Sequence, residues 1–187
     1  MYHESFGTFE VIEQNGIIIL LLCVNCFFSI LKRSFFVGMP FLPFSIDVIG
    51  IIASASSVTY GFSKTLGSIA TDVYSAKTLL CGCLFLGSLC NLLFSLSNNV
   101  WFIGIIWSLN GIVQGVSGPA LLRLLSDYGK DEDMGKIYSI LTAGGNIGYL
   151  VTPFLLLPLF QISWELPFYT AGSAGIVLSI IVYMTVP

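Results

Sequence analysis

Six long apolar segments separated by short polar turns run along this chain. A helix that crosses a bilayer needs about 20 apolar residues. Segments such as GIIILLLCVNCFFSIL do not alternate between polar and apolar positions, as the strands of a membrane barrel do. The pattern therefore predicts an all-α integral membrane protein with six spanning helices, over Asn15–Val37, Asp47–Leu66, Thr78–Leu96, Val100–Leu122, Lys136–Leu157 and Phe168–Val186.

Composition narrows the functional classes further. Of the 187 residues, 56% are hydrophobic and 9% are charged, whereas an average soluble domain contains about 25% charged residues. Too few polar side chains are present to cover a surface in water, which excludes a soluble enzyme. The net charge of −3 offers no basic face to nucleic acid.

The first 14 residues precede the first predicted span. They include three glutamates and no Lys or Arg, unlike a signal or transit peptide, so we expect the first helix to remain as a signal anchor. Nothing outside the helices is long enough for a second folded domain. We therefore expect residues 1–14 to form a cytoplasmic N-terminal tail and residues 15–187 to form one six-helix transmembrane bundle.

Basic residues concentrate in two of the predicted turns. Lys64 and Lys77 flank the turn after the second helix, and three more follow the fourth helix: Arg123, Lys130 and Lys136. The turns after the third and fifth helices contain none. Because Lys and Arg stay on the cytoplasmic side, both termini are predicted to be cytoplasmic. Lys32 and Arg33, near the far end of the first helix, do not fit this pattern.

Polar residues recur at helical spacing inside four spans. Such groups are costly in a membrane and usually face a protein interior or a water-filled cavity. The stripes lie at spacings of three, four or seven residues: Asn25, Ser29 and Lys32; Tyr60, Ser63 and Lys64; Asn110, Gln114 and Ser117; Ser139, Thr142 and Asn146. Packed against one another, they predict a hydrated cavity with Lys and Arg in its wall, which suits an anionic solute such as a phosphate.

These residues also have structural interpretations, which the spacing leaves open. Lys32, Arg33 and Lys64 could extend along their helices to the membrane interface, and the amides and hydroxyls could join helices instead of lining a cavity. Pro119 and Pro153 predict helix bends. Close helix packing is predicted at six glycines: Gly111, Gly115, Gly118, Gly144, Gly145 and Gly148.

All five cysteines (Cys23, Cys26, Cys81, Cys83 and Cys90) lie within apolar spans. Cys23-x-x-Cys26 has the spacing of a redox or zinc pair, but neither a histidine nor a second pair accompanies it. We interpret the cysteines as small buried apolar residues. His3 lies in the tail without a partner, and no phosphate loop or nucleophile–base pair is present, so we expect no cofactor, metal or catalytic role.

Two motifs give the chain a family resemblance. Tyr60–Lys77, YGFSKTLGSIATDVYSAK, resembles the second helix and following loop of the major facilitator superfamily, and within it the organophosphate:phosphate antiporters. LNGIVQGVSGP resembles their L-N-G-x-x-Q-G-x-G-W-P motif. The segment ILTAGGN, Pro153 and the Ser163–Trp164 pair also correspond, and the resemblance runs from about Phe28 to the end.

The resemblance implies a fold and a function. The fold is the N-terminal six-helix half of a twelve-helix transporter, with the second half absent. The function is exchange of a sugar phosphate, expected to be glucose-6-phosphate, for inorganic phosphate by alternating access. The implied location is the endoplasmic reticulum membrane, and a complementary half is an expected partner. The alternative is a non-transporting truncated form or a regulatory partner of a full-length transporter.

Positions that match the family's motifs carry implied roles. The family's phosphate-binding Arg-Lys pair falls, in reversed order, on Lys32 and Arg33, and its cavity lysine falls on Lys64. Asp72 and Lys77 would belong to a cytoplasmic gate. Together with the polar stripes, the expected substrate-binding residues are Lys32, Arg33, Tyr60, Lys64, Asn110, Gln114 and Asn146.

Overall fold

The computed structural model describes residues 2–128 and 134–186. Six α-helices follow one another, with a short 3-10 helix over Met39–Phe41: α1 (Tyr2–Gly38), α2 (Ile46–Val73), α3 (Ala76–Ser95), α4 (Val100–Tyr128), α5 (Met134–Phe160) and α6 (Leu166–Thr185). All six are long and apolar enough to cross a membrane, so the predicted all-α fold is confirmed. Lys130 and the side chain of His3 lie outside the described residues.

The helices are longer than the predicted spans. α2 continues from the predicted end at Leu66 to Val73, and α4 continues from Leu122 to Tyr128. α1 begins at Tyr2, although its apolar span begins only at Gly16. The difference has a simple cause, because hydropathy detects the part of a helix that lies in lipid, whereas backbone hydrogen bonds continue into the polar turns beyond it.

Three helix pairs repeat across the bundle, and a fourth pair, α3–α4, packs almost as extensively. α2 packs most extensively on α4, α1 on α5, and α3 on α6. Exchanging the first three helices for the last three leaves this pairing unchanged, since α2–α4 becomes α5–α1 and α3–α6 maps onto itself. These three pairs follow the pattern expected of two three-helix repeats within one bundle, whereas the α3–α4 contact has only a much smaller counterpart between α6 and α1.

Glycines allow two of these pairs to approach closely. A Cβ atom added at Gly115 would lie 2.6 Å from the Tyr60 carbonyl oxygen of α2, and one at Gly148 would lie 2.5 Å from the Cys26 carbonyl oxygen of α1. Gly111 is similarly crowded by Ser56, so close packing at these three glycines is confirmed. At Gly118 it is wrong, because a Cβ there would meet open space.

Hydrogen bonds between helices reinforce the same pairs. Asn25 Nδ2 on α1 donates to the Leu141 carbonyl oxygen on α5 at 2.6 Å, and Thr59 Oγ1 on α2 donates to the Ser108 carbonyl oxygen on α4 at 2.9 Å. Asn25 belongs to one of the predicted stripes and does join two helices, whereas Thr59 lies outside the four stripes. The α1–α5 and α2–α4 pairs form two walls that face each other across the centre of the bundle.

An aromatic cluster closes the end of the bundle opposite the α2–α3 turn. Phe35 of α1 stacks on Trp107 of α4 with ring centroids 4.9 Å apart, and Phe94 of α3 packs on Phe168 of α6 at 4.5 Å. All four side chains are buried. The cluster ties four helices together and gives the central site a rigid apolar floor.

The cysteines only partly follow the prediction of burial. Cys81, Cys83 and Cys90 on α3 are buried as expected, but Cys23 is exposed and Cys26 is half-buried. For Cys23 the prediction was wrong, because α1 meets α5 along the face that contains Leu22, Cys26 and Ser29, and Cys23 lies outside that face.

Candidate functional site

Two small cavities lie on either side of Lys32 and share Lys32, Tyr60 and Gln114 in their walls. The first, of about 70 Å³, is completed by Phe36, Ser56, Ser57, Trp107, Asn110 and Gly111. The second, of about 100 Å³, is completed by Asn25, Phe28, Ser29, Ser117, Gly118 and Tyr149. We call them the central cavities. They bring together residues of α1, α2, α4 and α5, the four helices on which polar stripes were predicted.

Lys32 points into the bundle. Its Nζ lies 3.7 Å from the centroid of the Tyr60 ring on α2, a distance at which the face of an aromatic ring attracts a cation. The side chain is half-buried. The structure therefore places Lys32 in the cavity wall and not along α1 toward the interface.

Asn110 and Gln114 of α4 form the amide part of the wall. Both are buried, and Gln114 Nε2 donates to Asn110 Oδ1 at 3.3 Å. The close approach of α4 to α2 at Gly111 and Gly115 holds these amides opposite Lys32. Their N–H groups can donate to an anion or to sugar hydroxyls.

Arg33 lies on the other side of α1, next to α5. Its Cζ is 5.7 Å from the centroid of the Tyr149 ring, and Tyr149 lines the second central cavity. Arg33 itself is exposed and lines neither central cavity, so the Tyr149 ring is its connection to the second one. Sequence reasoning missed Tyr149, although Thr142, Asn146 and Tyr149 continue the α5 stripe at spacings of four and three.

Lys64 and Asn146 line neither central cavity, and both are exposed. Lys64 follows Tyr60 by four residues, and Asn146 precedes Tyr149 by three, so each lies about one helical turn from a cavity-lining tyrosine. Their predicted roles in binding remain predictions.

The hydroxyl groups are mostly satisfied by their own helices. Ser29 donates to the Asn25 carbonyl oxygen at 3.1 Å, Ser57 to Ala53 at 2.8 Å, and Ser117 to Gln114 at 2.8 Å. Ser56, Ser57 and Trp107 also line the cavities, although sequence reasoning did not select them. The sequence did contain a signal for them, because Ser56 and Ser57 precede Tyr60, and Trp107 precedes Asn110, by the three or four residues that place side chains on one helix face.

The electrostatic character of the site is positive. Among the described residues that line the two central cavities, Lys32 is charged and none is acidic, and Arg33 lies beside the cavity-lining Tyr149. A cation that has no carboxylate partner and lies in a region of low dielectric interacts strongly with an anion. The arrangement can therefore bind a phosphate or a similar anion.

The predicted gate residues meet at one end of the bundle. Asp72 and Lys77, around the α2–α3 turn, line a polar cavity of about 550 Å³ together with Arg123 and Asp127 of α4. Arg123 Nε lies 3.6 Å from Asp127 Oδ1, and both side chains are exposed. Lys77 Nζ lies 5.1 Å from the Tyr183 ring centroid. The structure groups these residues, while their gating role remains a prediction.

Known proteins resemble this chain in sequence. The sequence profile described as Major Facilitator Superfamily matches residues 6–187. The chain is 31% identical over 133 residues to a probable hexose phosphate transport protein of Chlamydia muridarum, covering 69% of the chain and 29% of that protein. It is 27% identical to the membrane sensor protein UhpC of Escherichia coli, covering 71% of the chain and 30% of that protein.

A third relative covers more of the chain. The glycerol-3-phosphate transporter of Bacillus subtilis is 26% identical over 168 residues, which are 85% of the chain and 38% of that protein. The chain thus spans about a third of the length of these curated relatives.

Solved structures share the architecture. A crystal structure of the peptide transporter POT in complex with sulfate matches with a TM-score of 0.71 and 18% identity, over 87% of this chain and 37% of that one. A POT family transporter in complex with a thioalcohol-conjugated peptide matches with a TM-score of 0.72 and 16% identity, over 90% and 37%. At such identities the likeness shows the fold alone.

Proposed function

This chain belongs to the Major Facilitator Superfamily, and from that premise we propose that it transports a sugar phosphate across a membrane. The substrate we propose is glucose-6-phosphate, taken up in exchange for inorganic phosphate. One observation carries the proposal: Lys32 faces Tyr60 inside the bundle, beside two buried amides. Relatives named as hexose phosphate and glycerol-3-phosphate transporters support the same substrate class.

In the proposed binding mode the phosphoryl group lies between Lys32 and Arg33, the two cations of α1. Lys32 supplies a point charge, and Arg33 supplies a planar fork that pairs with two phosphate oxygens. Asn110 and Gln114 donate to the remaining oxygens or to the sugar hydroxyls. Lys64, one helical turn after Tyr60 on α2, supplies a further positive charge to the phosphoryl group.

The transport step we propose is alternating access, in which this bundle rocks against a complementary half. The exposure of α2 and α5 supports a partner at these helices, because only 17% of an apolar 18-residue stretch in each is buried, compared with 56% in α3. Polar side chains, including Lys64 and Asn146, lie on these uncovered helices. Exchange follows from charge: an empty cationic cavity closes poorly until an anion neutralises it. Asp72 and Lys77 would form part of the gate.

The proposed location is the endoplasmic reticulum membrane, with both termini in the cytoplasm. Family resemblance is the basis for the compartment. The orientation rests on Lys77 and Arg123, which share one end of the bundle and which the positive-inside rule assigns to the cytoplasm.

Reconstitution tests the transport activity. The chain, together with the second half of a hexose phosphate relative, is incorporated into liposomes loaded with inorganic phosphate. We expect uptake of radiolabelled glucose-6-phosphate that depends on internal phosphate. Absence of uptake, with both halves folded and inserted, would contradict the proposal.

A second candidate is supported by the similarity to a protein named as a membrane sensor. The chain would then bind a sugar phosphate without transporting it, as a truncated form or as a regulatory partner of a full-length transporter. Binding of glucose-6-phosphate without exchange, together with co-purification with a full-length relative, would favour this function over the first.

Lys64 provides a test within the site. We expect Lys64→Gln to weaken phosphate binding by about tenfold, the lower end of the range for a charge-assisted hydrogen bond, because an exposed charge is partly screened. Titration of the purified chain in lipid nanodiscs with inorganic phosphate measures the change.

Lys64→Arg is the companion variant. A lysine that only anchors α2 at the interface should accept arginine and glutamine with no change in phosphate affinity. A lysine that contacts the anion should tolerate arginine poorly, because the planar head needs more space. Unchanged phosphate affinity in both variants would show that Lys64 anchors α2 at the interface and does not contact the anion.

A further inference from the structure

Two neighbouring cations on one helix normally point in different directions. Successive residues of an α-helix are rotated by about 100°, so Lys32 and Arg33 cannot both face the centre of the bundle through backbone geometry alone. In the structure each of them contacts a tyrosine: Lys32 contacts Tyr60 on α2, and Arg33 contacts Tyr149 on α5. The Tyr60 ring thus lies beside Lys32, which lines both central cavities, and the Tyr149 ring, in the wall of the second cavity, lies beside Arg33.

Tyr149 is well placed to hold Arg33. Its side chain is half-buried and shares the wall of the second central cavity with Lys32 and Tyr60. Arg33 is exposed, so without the ring its long side chain would be free to turn toward the membrane interface. The ring keeps the guanidinium beside the cavity.

The backbone beneath Tyr149 is fixed by close packing. The preceding residue, Gly148, lies so near α1 that an added Cβ would be 2.5 Å from the Cys26 carbonyl oxygen. The Asn25 side chain also donates to the Leu141 carbonyl oxygen of α5 at 2.6 Å. The ring therefore projects from a rigid α1–α5 pair, and its position relative to Arg33 is set by the fold.

The correspondence between the first three helices and the last three also relates the two tyrosines. It maps α2 onto α5, and Tyr60 and Tyr149 each lie near the middle of their helix. The two repeats thus supply one ring each to the same central site.

We propose that Tyr149 is a substrate-positioning residue, whose ring holds the Arg33 guanidinium at the central cavities so that Arg33 and Lys32 bind the same phosphoryl group. This inference rests on the proposed function for its ligand. The positioning itself is a property of the unliganded chain and can be measured without any substrate.

Arginine NMR tests the positioning directly. The chain contains two arginines, Arg33 and Arg123, so a sample labelled with ¹⁵N-arginine in nanodiscs gives two Nε–H signals, which Arg33→Lys assigns. We expect the Arg33 signal to carry a ring-current shift that Tyr149→Leu removes and Tyr149→Phe retains. Tyr169→Leu, an exposed tyrosine of α6, serves as the matched control. An Arg33 signal that Tyr149→Leu leaves unmoved would overturn the proposal.

Titration with inorganic phosphate tests the consequence. Tyr149→Leu should weaken binding by about two- to fivefold, as expected for the loss of a cation–π contact at an exposed cation, whereas Tyr149→Phe, which keeps the ring, should bind phosphate as the parent chain does. The double variant with Arg33→Gln should bind no more weakly than Arg33→Gln alone, because Tyr149 acts through Arg33. Additive losses would overturn the proposal.

The two measurements separate this inference from the proposed function. If Tyr149→Leu moves the Arg33 signal but the parent chain does not respond to phosphate, the ring holds Arg33 as described and the transport of sugar phosphates is contradicted. If phosphate binds and Tyr149→Leu changes neither the Arg33 signal nor the affinity, the proposed function stands and the role of Tyr149 is overturned.

Discussion

Replacing Lys32 by glutamine is expected to weaken the binding of inorganic phosphate by about ten- to hundredfold. Lys32 is the charged residue in the walls of both central cavities, and a hydrogen bond to a charged group contributes about 1.5–3 kcal/mol. The amides of Asn110 and Gln114 cannot replace the lost charge. Titration of the chain in nanodiscs gives the dissociation constant, and circular dichroism verifies that the helices are retained.

Two further variants make the Lys32 result specific. Lys136→Gln removes the same charge from the exposed beginning of α5, away from the central cavities, and should leave phosphate affinity unchanged. Lys32→Arg preserves the charge but must fit a larger planar head between two small cavities, so it should recover only part of the affinity that Lys32→Gln loses. Equal effects of Lys32→Gln and Lys136→Gln would mean that only the overall charge matters, which contradicts a site at Lys32.

The second large effect concerns the contact between α2 and α4. We expect Gly115→Ala to destabilise the bundle by about 1–3 kcal/mol, the usual cost of overpacking. The added methyl group would lie 2.6 Å from the Tyr60 carbonyl oxygen and 2.9 Å from the Lys64 nitrogen, and backbone atoms cannot turn aside as a flexible side chain can. Thermal unfolding in detergent measures the loss, and phosphate affinity should fall with it as Tyr60 moves away from Lys32.

Gly118→Ala is the matched control for this prediction. It makes the same chemical change on the same helix, where an added Cβ meets open space. Because alanine favours a helix more than glycine does, stability should be unchanged or slightly higher. Equal stability of the two variants would show that α2 and α4 are not in close contact at Gly115.

Much of the fold could be predicted because a membrane restricts the choices. Backbone groups in lipid must be hydrogen-bonded within the segment itself, so an apolar stretch of sufficient length implies a helix wherever it occurs. Six such stretches predicted six helices, and the structure confirms them. The resemblance of the motifs at Tyr60–Lys77 and in α4 to the major facilitator superfamily is likewise confirmed.

The candidate site was predictable only in part. Helical spacing selected Lys32, Tyr60, Asn110 and Gln114, which the structure brings together. The same spacing selected Ser63, which is buried against Gly115 of α4 and takes part in helix contact instead of lining a cavity. Spacing orders residues around the axis of their own helix, but it does not state which neighbouring helix covers that face.

The sequence by itself determined the membrane location, the number of helices, the family and the cationic character of the polar stripes, because these depend on composition, length and local motifs. Tertiary structure alone decided which polar residues face the cavity and which join helices. It also decided that Arg33 meets Tyr149, two residues on different helices and 116 positions apart. That contact depends on the close approach of α5 to α1 at Gly148, and an approach between two helices is a property of their packing, which neither segment encodes alone.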